Sequence, residues 1–328
     1  MSDATGRELQ VVAPRGVARS FDADALAADW RAHLAELVAA GEMAQATAHT
    51  YARGMDKLLD WIGAQDATRV GPQAIRAWKA DMLERGLSAS TANVHLAGAR
   101  CFFAWAVAER GLAYDPTNGV KSAARRGVSR RHKRDALTDA EVLRVLARPD
   151  ASTAQGQRDR AMLHLMAYCG LRGIEVQRAQ LGDLASNGHL RLNVRGKGGG
   201  GDTTEPVYIV NADALAALHD WLAVHPRRRD PLAPLFCGLG NRNAGGALTM
   251  ATIRRLVTGY YAEAGVVGLR KSTHSLRHSL VTNLIRHKVA PTAIMAVTRH
   301  KSLDTLAGYA HEMERDANPA EALVDYGQ

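Results

Sequence analysis

Cysteine is scarce in this chain, and acids are outnumbered by bases. The three cysteines, Cys101, Cys169 and Cys237, lie far apart, are odd in number and sit inside apolar runs. With no Cys-x-x-Cys pair, the sequence suggests neither a zinc site nor a disulfide framework, and a reducing, cytoplasmic compartment fits best. No run of 18 apolar residues occurs, so no membrane-spanning helix is expected. The opening residues, Met1 to Gln10, are polar and lack the apolar stretch of a secretion signal. Four consecutive glycines, Gly198 to Gly201, suggest a phosphate cradle, but no Gly-Lys-Ser/Thr follows at P-loop spacing. No internal repeat is visible.

What is present is a basic, apolar-rich chain of two-domain length. Its 328 residues fit two domains, and 46% apolar residues suffice for hydrophobic cores. The 42 Lys and Arg exceed the 33 Asp and Glu by nine. That excess favours a polyanionic partner, because bound Lys and Arg release the counterions condensed on phosphates.

Residues 1–20 read as a flexible polar lead-in. Residues 21–115 read as an all-helical domain. Leu26, Trp30, Leu34 and Leu37 recur at helical spacing, as do Tyr51, Leu58, Leu59 and Ile62. A third helix is expected over Pro72–Glu84, with proline in its first turn, and a fourth over Ser90–Glu109. Trp30, Trp61, Trp78 and Trp105 fall in this region and read as core anchors rather than base-stacking platforms. The turn Asp115-Pro116-Thr117-Asn118-Gly119 ends the pattern.

A linker follows over 116–135. From Lys121 to Arg134 it holds seven bases (Lys121, Arg125, Arg126, Arg130, Arg131, Lys133 and Arg134) and no acid. Such a run is ordinarily a solvated linker, and beside two basic domains it can also follow a phosphate backbone. The second domain, 136–328, opens with the capping-box pair Thr138 and Glu141. A helix over 158–168 should end at Gly170. Residues 189–195 alternate as a strand does, and Pro206–Val210 forms a second strand. Between them a glycine-rich hairpin loop carries Lys197. Helices are expected over 211–224, 250–264, 275–287, 291–298 and 302–311. The fold class is therefore mainly α with a small antiparallel β-sheet.

The residues that carry chemistry are spread along the second domain. Thr273-His274-Ser275-Leu276-Arg277-His278 is followed by Arg299-His300 and then Tyr309. Upstream lie Arg172 in Gly170-Leu171-Arg172-Gly173-Ile174-Glu175 and Lys197 in Arg195-Gly196-Lys197-Gly198. Phosphodiester transfer by a side chain needs a nucleophile, charge on the non-bridging oxygens and a proton for the leaving oxygen. Arg172 and Arg277 suit the second task, since a guanidinium is planar, permanently charged and forked. Arg172 can equally form an ion pair with Glu175 one turn on, and the two roles are compatible if Glu175 orients the guanidinium. Lys197 can act as general acid or be an ordinary turn lysine. His274 can accept a proton or hold phosphate at a helix N-terminus. His278, four residues later, has the spacing of a metal pair, but no third ligand follows; it reads as a supporting, structural residue and no metal is expected. Tyr309 follows both histidine motifs, whereas Tyr260 and Tyr261 do not. A phenol of pKa about 10 needs cations or a base beside it to attack phosphorus.

This order, Arg172, Lys197, His274-x-x-Arg277, His300, then Tyr309 nine residues on, resembles the tyrosine recombinase (phage integrase) family in its two-domain, Xer- or Cre-like kind. The Gly-Leu-Arg lead-in, the Gly-Lys-Gly hairpin and the His-x-Leu-Arg-His box match in local context. The resemblance covers the second domain closely. In the first it extends only to a SAM-like helical, core-binding pattern. There are departures: Arg299 stands where the family usually has glycine, Gly173 replaces isoleucine or serine, and the hairpin loop is longer and richer in glycine.

The resemblance implies a site-specific recombinase that closes two domains around double-stranded DNA and needs no ATP or other cofactor. Tyr309 would form a 3′-phosphotyrosyl bond, and exchange would pass through a Holliday junction. Assembly would be a homotetramer on synapsed sites and a monomer or dimer otherwise. The tail, Glu312–Gln328, would dock on a neighbouring protomer or stay frayed, and the lead-in is too short for a separate arm-binding domain. Two rivals share these residues: type IB topoisomerase-like relaxation, and a DNA-binding regulator without catalysis.

Overall fold

The computed structural model describes residues 7–12, 18–65, 69–124, 136–195, 204–241, 243–268 and 271–300, with Leu303 and Leu306. Two compact units divide the chain, Met1–Val128 and Ser129–Gln328.

The first unit corrects the expectation of a loose lead-in ahead of an all-helical domain. Strand β1 (Glu8–Val12) pairs antiparallel with β2 (Ala18–Asp22). The short β3 (Arg69–Val70) joins β1 in parallel. Leu9 and Val11, on one face of β1, are fully buried and anchor this sheet on the helices. Only these two alternating apolar positions mark the strand, too brief a pattern to separate from a coil.

Four helices carry the rest of the unit: α1 (Ala23–Ala39), α2 (Gln45–Ala64), α3 (Pro72–Glu84) and α4 (Ala89–Glu109). Their starts follow from local chemistry. The Asp22 carboxylate accepts the Asp24 and Ala25 N–H groups at 3.0 Å, and Ser88 Oγ accepts that of Thr91 at 3.1 Å. Pro72 occupies the first turn of α3, where its missing N–H costs nothing. Trp30, Trp78, Phe102 and Phe103 fill the core, with Leu58, Ile62 and Ile75 between them. Trp105 is buried as well, and Trp61 packs at the rim. The indoles are therefore core anchors.

Helices α2 and α4 cross through a glycine pair. A Cβ on Gly98 would stand 2.6 Å from the Tyr51 carbonyl oxygen, and one on Gly54 2.7 Å from that of His95. Neither neighbour is a side chain that can swing away. Past α4, the side chain of Asn93 brackets Ala123, with Nδ2 donating to its carbonyl at 3.1 Å and Oδ1 accepting its N–H at 2.6 Å. Lys79 Nζ donates to the Lys121 carbonyl at 2.8 Å.

In the second unit, the capping box at Thr138 opens α5 (Asp139–Leu146) as expected, with both reciprocal bonds present. Helix α6 (Ala154–Tyr168) is buried on nearly every side and forms the axis of the unit. Helix α7 (Gly173–Arg178) follows after a sharp turn. Strands β4 (Leu184–Asn187), β5 (His189–Arg195) and β6 (Thr204–Tyr208) make an antiparallel sheet in that order. Strand β4 is absent from the sequence reading because Leu-Ala-Ser-Asn carries little β preference. Strand β6 starts two residues before its expected position, its register set by β5. It is an edge strand, and so Pro206 is tolerated opposite Asn193.

Helices α8 (Ala212–Val224), α9 (Met250–Glu263), α10 (Ser275–Arg286) and α11 (Pro291–Thr298) complete the described unit. Leu303 and Leu306 are helical, and Leu306 packs with Val281 and Ile294. The main core gathers Met162, Leu165, Leu218, Trp221, Phe236 and Leu276. Ser279 Oγ accepts the Leu137 N–H at 2.7 Å, and Lys271 Nζ donates to the Ala136 carbonyl and Glu141, both at 3.2 Å. The start of the unit is thereby tied to α10 and to the loop before it. Among the described residues, no helix is long and apolar enough to cross a membrane.

The glycine crossing gives a direct test. Gly98→Ala should destabilise the first unit by about 1–3 kcal/mol through overpacking against backbone. Urea denaturation followed by tryptophan fluorescence would measure it. A midpoint equal to that of the parent chain would contradict the close crossing.

Candidate active site

Chain geometry brings four elements to one place: the end of α6, the start of α7, the start of α10 and the end of α11. After α6, Gly170 takes a left-handed conformation (φ +63°), which glycine adopts without steric cost. The turn points the Gly170 carbonyl toward α10. Arg277, in the first turn of α10, donates from Nη1 to that carbonyl at 2.6 Å.

Arg172 is the cap residue of α7 and Glu175 the third residue of that helix. Glu175 accepts the Arg172 backbone N–H on Oε2 at 2.8 Å, which closes the helix start. Its Oε1 accepts from Arg172 Nη1 at 2.7 Å. Both sequence readings of Arg172 are thus compatible: it is ion-paired to Glu175 and still 25% exposed in its side chain. Gly173 lies against Met250, whose Cε would sit 2.9 Å from an added Cβ. The glycine at this departure from the family pattern therefore fits the helix α7–α9 contact.

The second departure is larger. Helix α11 ends on Arg299 in the left-handed conformation (φ 55°, ψ 43°). For a residue with a Cβ this costs about 1–2 kcal/mol. Its side chain turns inward and is 4% exposed. Arg299 Nη2 donates to Glu175 Oε2 at 2.7 Å and to the Gly170 carbonyl at 3.2 Å. Its own carbonyl accepts from Arg172 Nη2 at 3.1 Å. One chain of hydrogen bonds thus runs from Arg172 through Glu175 and Arg299 to Gly170 and Arg277. The sequence reading noted Arg299 only as an unusual residue, since nothing in the pattern says that its side chain turns inward.

Electrostatics follow from this arrangement. Burial alone pushes the Glu175 carboxyl up. The Arg299 charge, followed by the bonds from Arg172, outweighs burial and holds it below the usual glutamate value. Three guanidiniums to one carboxylate leave the cluster cationic, as an anion site requires.

His274 is the cap residue of α10, and its backbone N–H donates to Ser272 Oγ at 3.3 Å. His278, in the next turn, is half-buried. His300 Nδ1 lies 2.9 Å from Thr298 Oγ1, and that hydroxyl donates to the Ile294 carbonyl at 2.6 Å. With the hydroxyl proton so used, Nδ1–H is the donor of the pair.

Lys197, Tyr309, Arg125, Arg126, Arg130, Arg131, Lys133 and Arg134 lie outside the described residues. Lys197 comes two residues after the last paired position of β5, Arg195. Of the basic linker set, Lys121 is described: it is exposed, and its carbonyl is held by Lys79.

Competing nucleophiles are disfavoured by their surroundings. Tyr260 donates to the Asp159 carboxylate at 2.9 Å, and Tyr261 to the Ser272 carbonyl at 3.0 Å. Burial raises both phenols well above the ordinary value, and the Asp159 charge adds to this at Tyr260. Burial likewise pushes the Cys169 thiol up to about 12. Among the described residues, no three His, Cys, Asp or Glu side chains gather as a metal site.

Removing the Glu175 charge should expose how much rests on it. Glu175→Gln leaves two guanidiniums without their shared carboxylate and should cost about 3–5 kcal/mol in unfolding free energy. The acid limb carries the same information. A carboxyl held low in the folded state adds stability that is full above the unfolded glutamate pKa of about 4.3. That stability is lost as pH falls through the lower folded value. The stability gap between the parent and Glu175→Gln in thermal unfolding should therefore narrow as pH falls from 7 toward 3. Parallel curves throughout would contradict the assignment.

The phage integrase family pattern matches residues 135–315, and the phage integrase N-terminal SAM-like domain pattern matches residues 31–110. A tyrosine recombinase of Synechococcus elongatus is 32% identical over 252 residues, covering 76% of this chain and 75% of that one. XerC of Rhodospirillum centenum is 34% identical over 263 residues, covering 78% and 71%. XerD of Pseudomonas putida is 30% identical over 245 residues, covering 72% and 74%. Among solved structures, the XerH site-specific recombinase bound to palindromic difH substrate, in its post-cleavage complex, superposes with a TM-score of 0.68. It is 20% identical, with 84% of this chain and 79% of that one covered. A lambda integrase tetramer bound to a Holliday junction gives a TM-score of 0.63 at 16% identity, covering 86% and 76%. At these identities the structural likeness concerns the fold. The sequence relatives and the family pattern carry the assignment: this chain belongs to the phage integrase family and is a tyrosine-type site-specific recombinase.

Proposed function

We propose that this recombinase cuts and rejoins double-stranded DNA through a 3′-phosphotyrosyl intermediate at Tyr309. The observation that carries the reading is the hydrogen-bonded chain Arg172–Glu175–Arg299–Gly170–Arg277. It anchors both guanidiniums on carboxylate and backbone partners before any substrate arrives, which is how a site lowers the barrier for a charge-building transfer.

In this reading Arg172 and Arg277 hold the non-bridging oxygens of the scissile phosphate. The Tyr309 phenolic oxygen attacks phosphorus, and its proton passes to His274. The bond from phosphorus to the 5′ oxygen breaks, and Lys197 protonates that oxygen as it leaves. His300 donates from Nε2 to the phosphate when its ring is cationic. The ester conserves the phosphodiester bond, so the 5′-hydroxyl of a partner duplex can attack it in turn without ATP. Two such exchanges pass through a Holliday junction. We assign the paired action to a homotetramer on two synapsed sites, in the reducing cytoplasm. The basic run from Lys121 to Arg134 supplies sequence-independent phosphate contacts.

The direct test uses a nicked duplex carrying sequence from beside the gene of this chain, so that cleavage releases a short strand and cannot reverse. An adduct stable in SDS should form with the parent chain and vanish in Tyr309→Phe, while binding in a gel shift persists. Recombination between two such sites, with no relaxation of plasmid that lacks them, separates this reading from topoisomerase-like action. Clear binding without any adduct would favour a regulator. An adduct that survives Tyr309→Phe would mean another nucleophile.

A further inference from the structure

Arg299 stands at a position whose backbone suits glycine, and it contributes both its guanidinium and its carbonyl to the candidate site. We propose that Arg299 is a positioning residue, which fixes the Arg172 guanidinium for phosphate through the Glu175 carboxylate and through its own carbonyl. This rests on the tyrosine recombinase reading for its consequence in catalysis, and on the geometry alone for the positioning.

The contacts divide the work. Arg172 has two anchors beyond its own backbone: Glu175 Oε1 for Nη1 and the Arg299 carbonyl for Nη2. Arg299 sets both. Its carbonyl direction is fixed by the left-handed turn that ends α11, and its Nη1 donates back to the Val297 carbonyl at 2.9 Å. Its Nη2 holds the other oxygen of Glu175, so the carboxylate cannot rotate away from Arg172. The same Nη2 reaches the Gly170 carbonyl that also receives Arg277. One side chain therefore ties together the supports of both arginines assigned to the phosphate.

The charge balance points the same way. If Glu175 paired with Arg172 alone, the pair would be neutral and its pull on an anion weak. With Arg299 sharing the carboxylate, Arg172 keeps a net positive field toward solvent, where its side chain is exposed. The charged groups around Glu175 are Arg172 at the start of α7 and Arg299 at the end of α11. Arg277 comes in from α10 through the Gly170 carbonyl, and His300 is the next residue after Arg299. The charge of Arg299 leads the influences that counter burial at Glu175. Without it, the carboxyl takes up a proton at higher pH and releases Arg172.

The experiment compares the parent chain with Arg299→Gly, which relieves the backbone, and Arg299→Lys, which keeps the charge but not the fork. Adduct formation on the nicked duplex is followed in a single turnover from pH 5 to pH 9. The Arg172 side-chain N–H resonance is followed by NMR in the protein without DNA. Arg299→Gly should bind DNA as the parent does but cleave roughly 10- to 100-fold more slowly, the cost of a misplaced group. Its acid limb should move to higher pH, and the Arg172 resonance should shift or broaden. Arg299→Lys should recover part of the rate and most of the acid limb. A purely structural role would not move the acid limb. Parent-like rate and pH profile in Arg299→Gly would overturn the inference. If the parent forms no adduct, the recombinase reading fails, and the Arg172 resonance then decides the positioning: unchanged in Arg299→Gly, it overturns this inference as well.

Discussion

The Glu175 carboxylate, buried between two arginines, is the constraint on which the rest of the site depends. It closes the first turn of α7 through the Arg172 backbone, orients the Arg172 guanidinium, and draws Arg299 inward from the end of α11. A buried carboxylate is costly unless its lone pairs are filled. Here three N–H groups fill them, and the cost of burial becomes rigidity. Remove the charge, and the cations on either side lose their reason to stay.

Around that carboxylate, backbone geometry does the aiming. Gly170 reverses the chain after α6 so that its carbonyl serves Arg277 and Arg299 together. The left-handed end of α11 turns the Arg299 carbonyl to Arg172 and sets His300 beside Thr298. Anchors at Ser279 and Lys271 bind the start of the unit to α10 and the loop before it. The elements that meet at this cluster are held by their ends, where backbone groups lack helical partners and take side-chain ones instead.

Much of this was legible in the sequence, for identifiable reasons. The helices of the first unit declare themselves through long apolar periodicity and capping residues, and the Thr138 box marks α5 outright. Arg172 and Glu175 were readable as a pair because they stand three apart at one helix start, whereas Arg277 and His300 were singled out by the resemblance to the family's motif order. The strand β1 was not, since two alternating apolar residues carry too little pattern. Nor was the glycine crossing at Gly54 and Gly98, because a close approach of two backbones leaves no periodic mark. The role of Arg299 was hidden for a third reason. Its burial depends on a turn and on a partner 124 positions earlier in the chain, and no local pattern encodes such a pairing.

On the proposed mechanism, Glu175 acts through Arg172 rather than beside it. A double-mutant cycle on the single-turnover rate of adduct formation tests it, using Glu175→Gln, Arg172→Ala and the two combined. If Glu175 works by holding Arg172, its removal should slow the parent markedly and slow Arg172→Ala little further. Fully additive losses would mean that the two residues act independently, and would contradict the account.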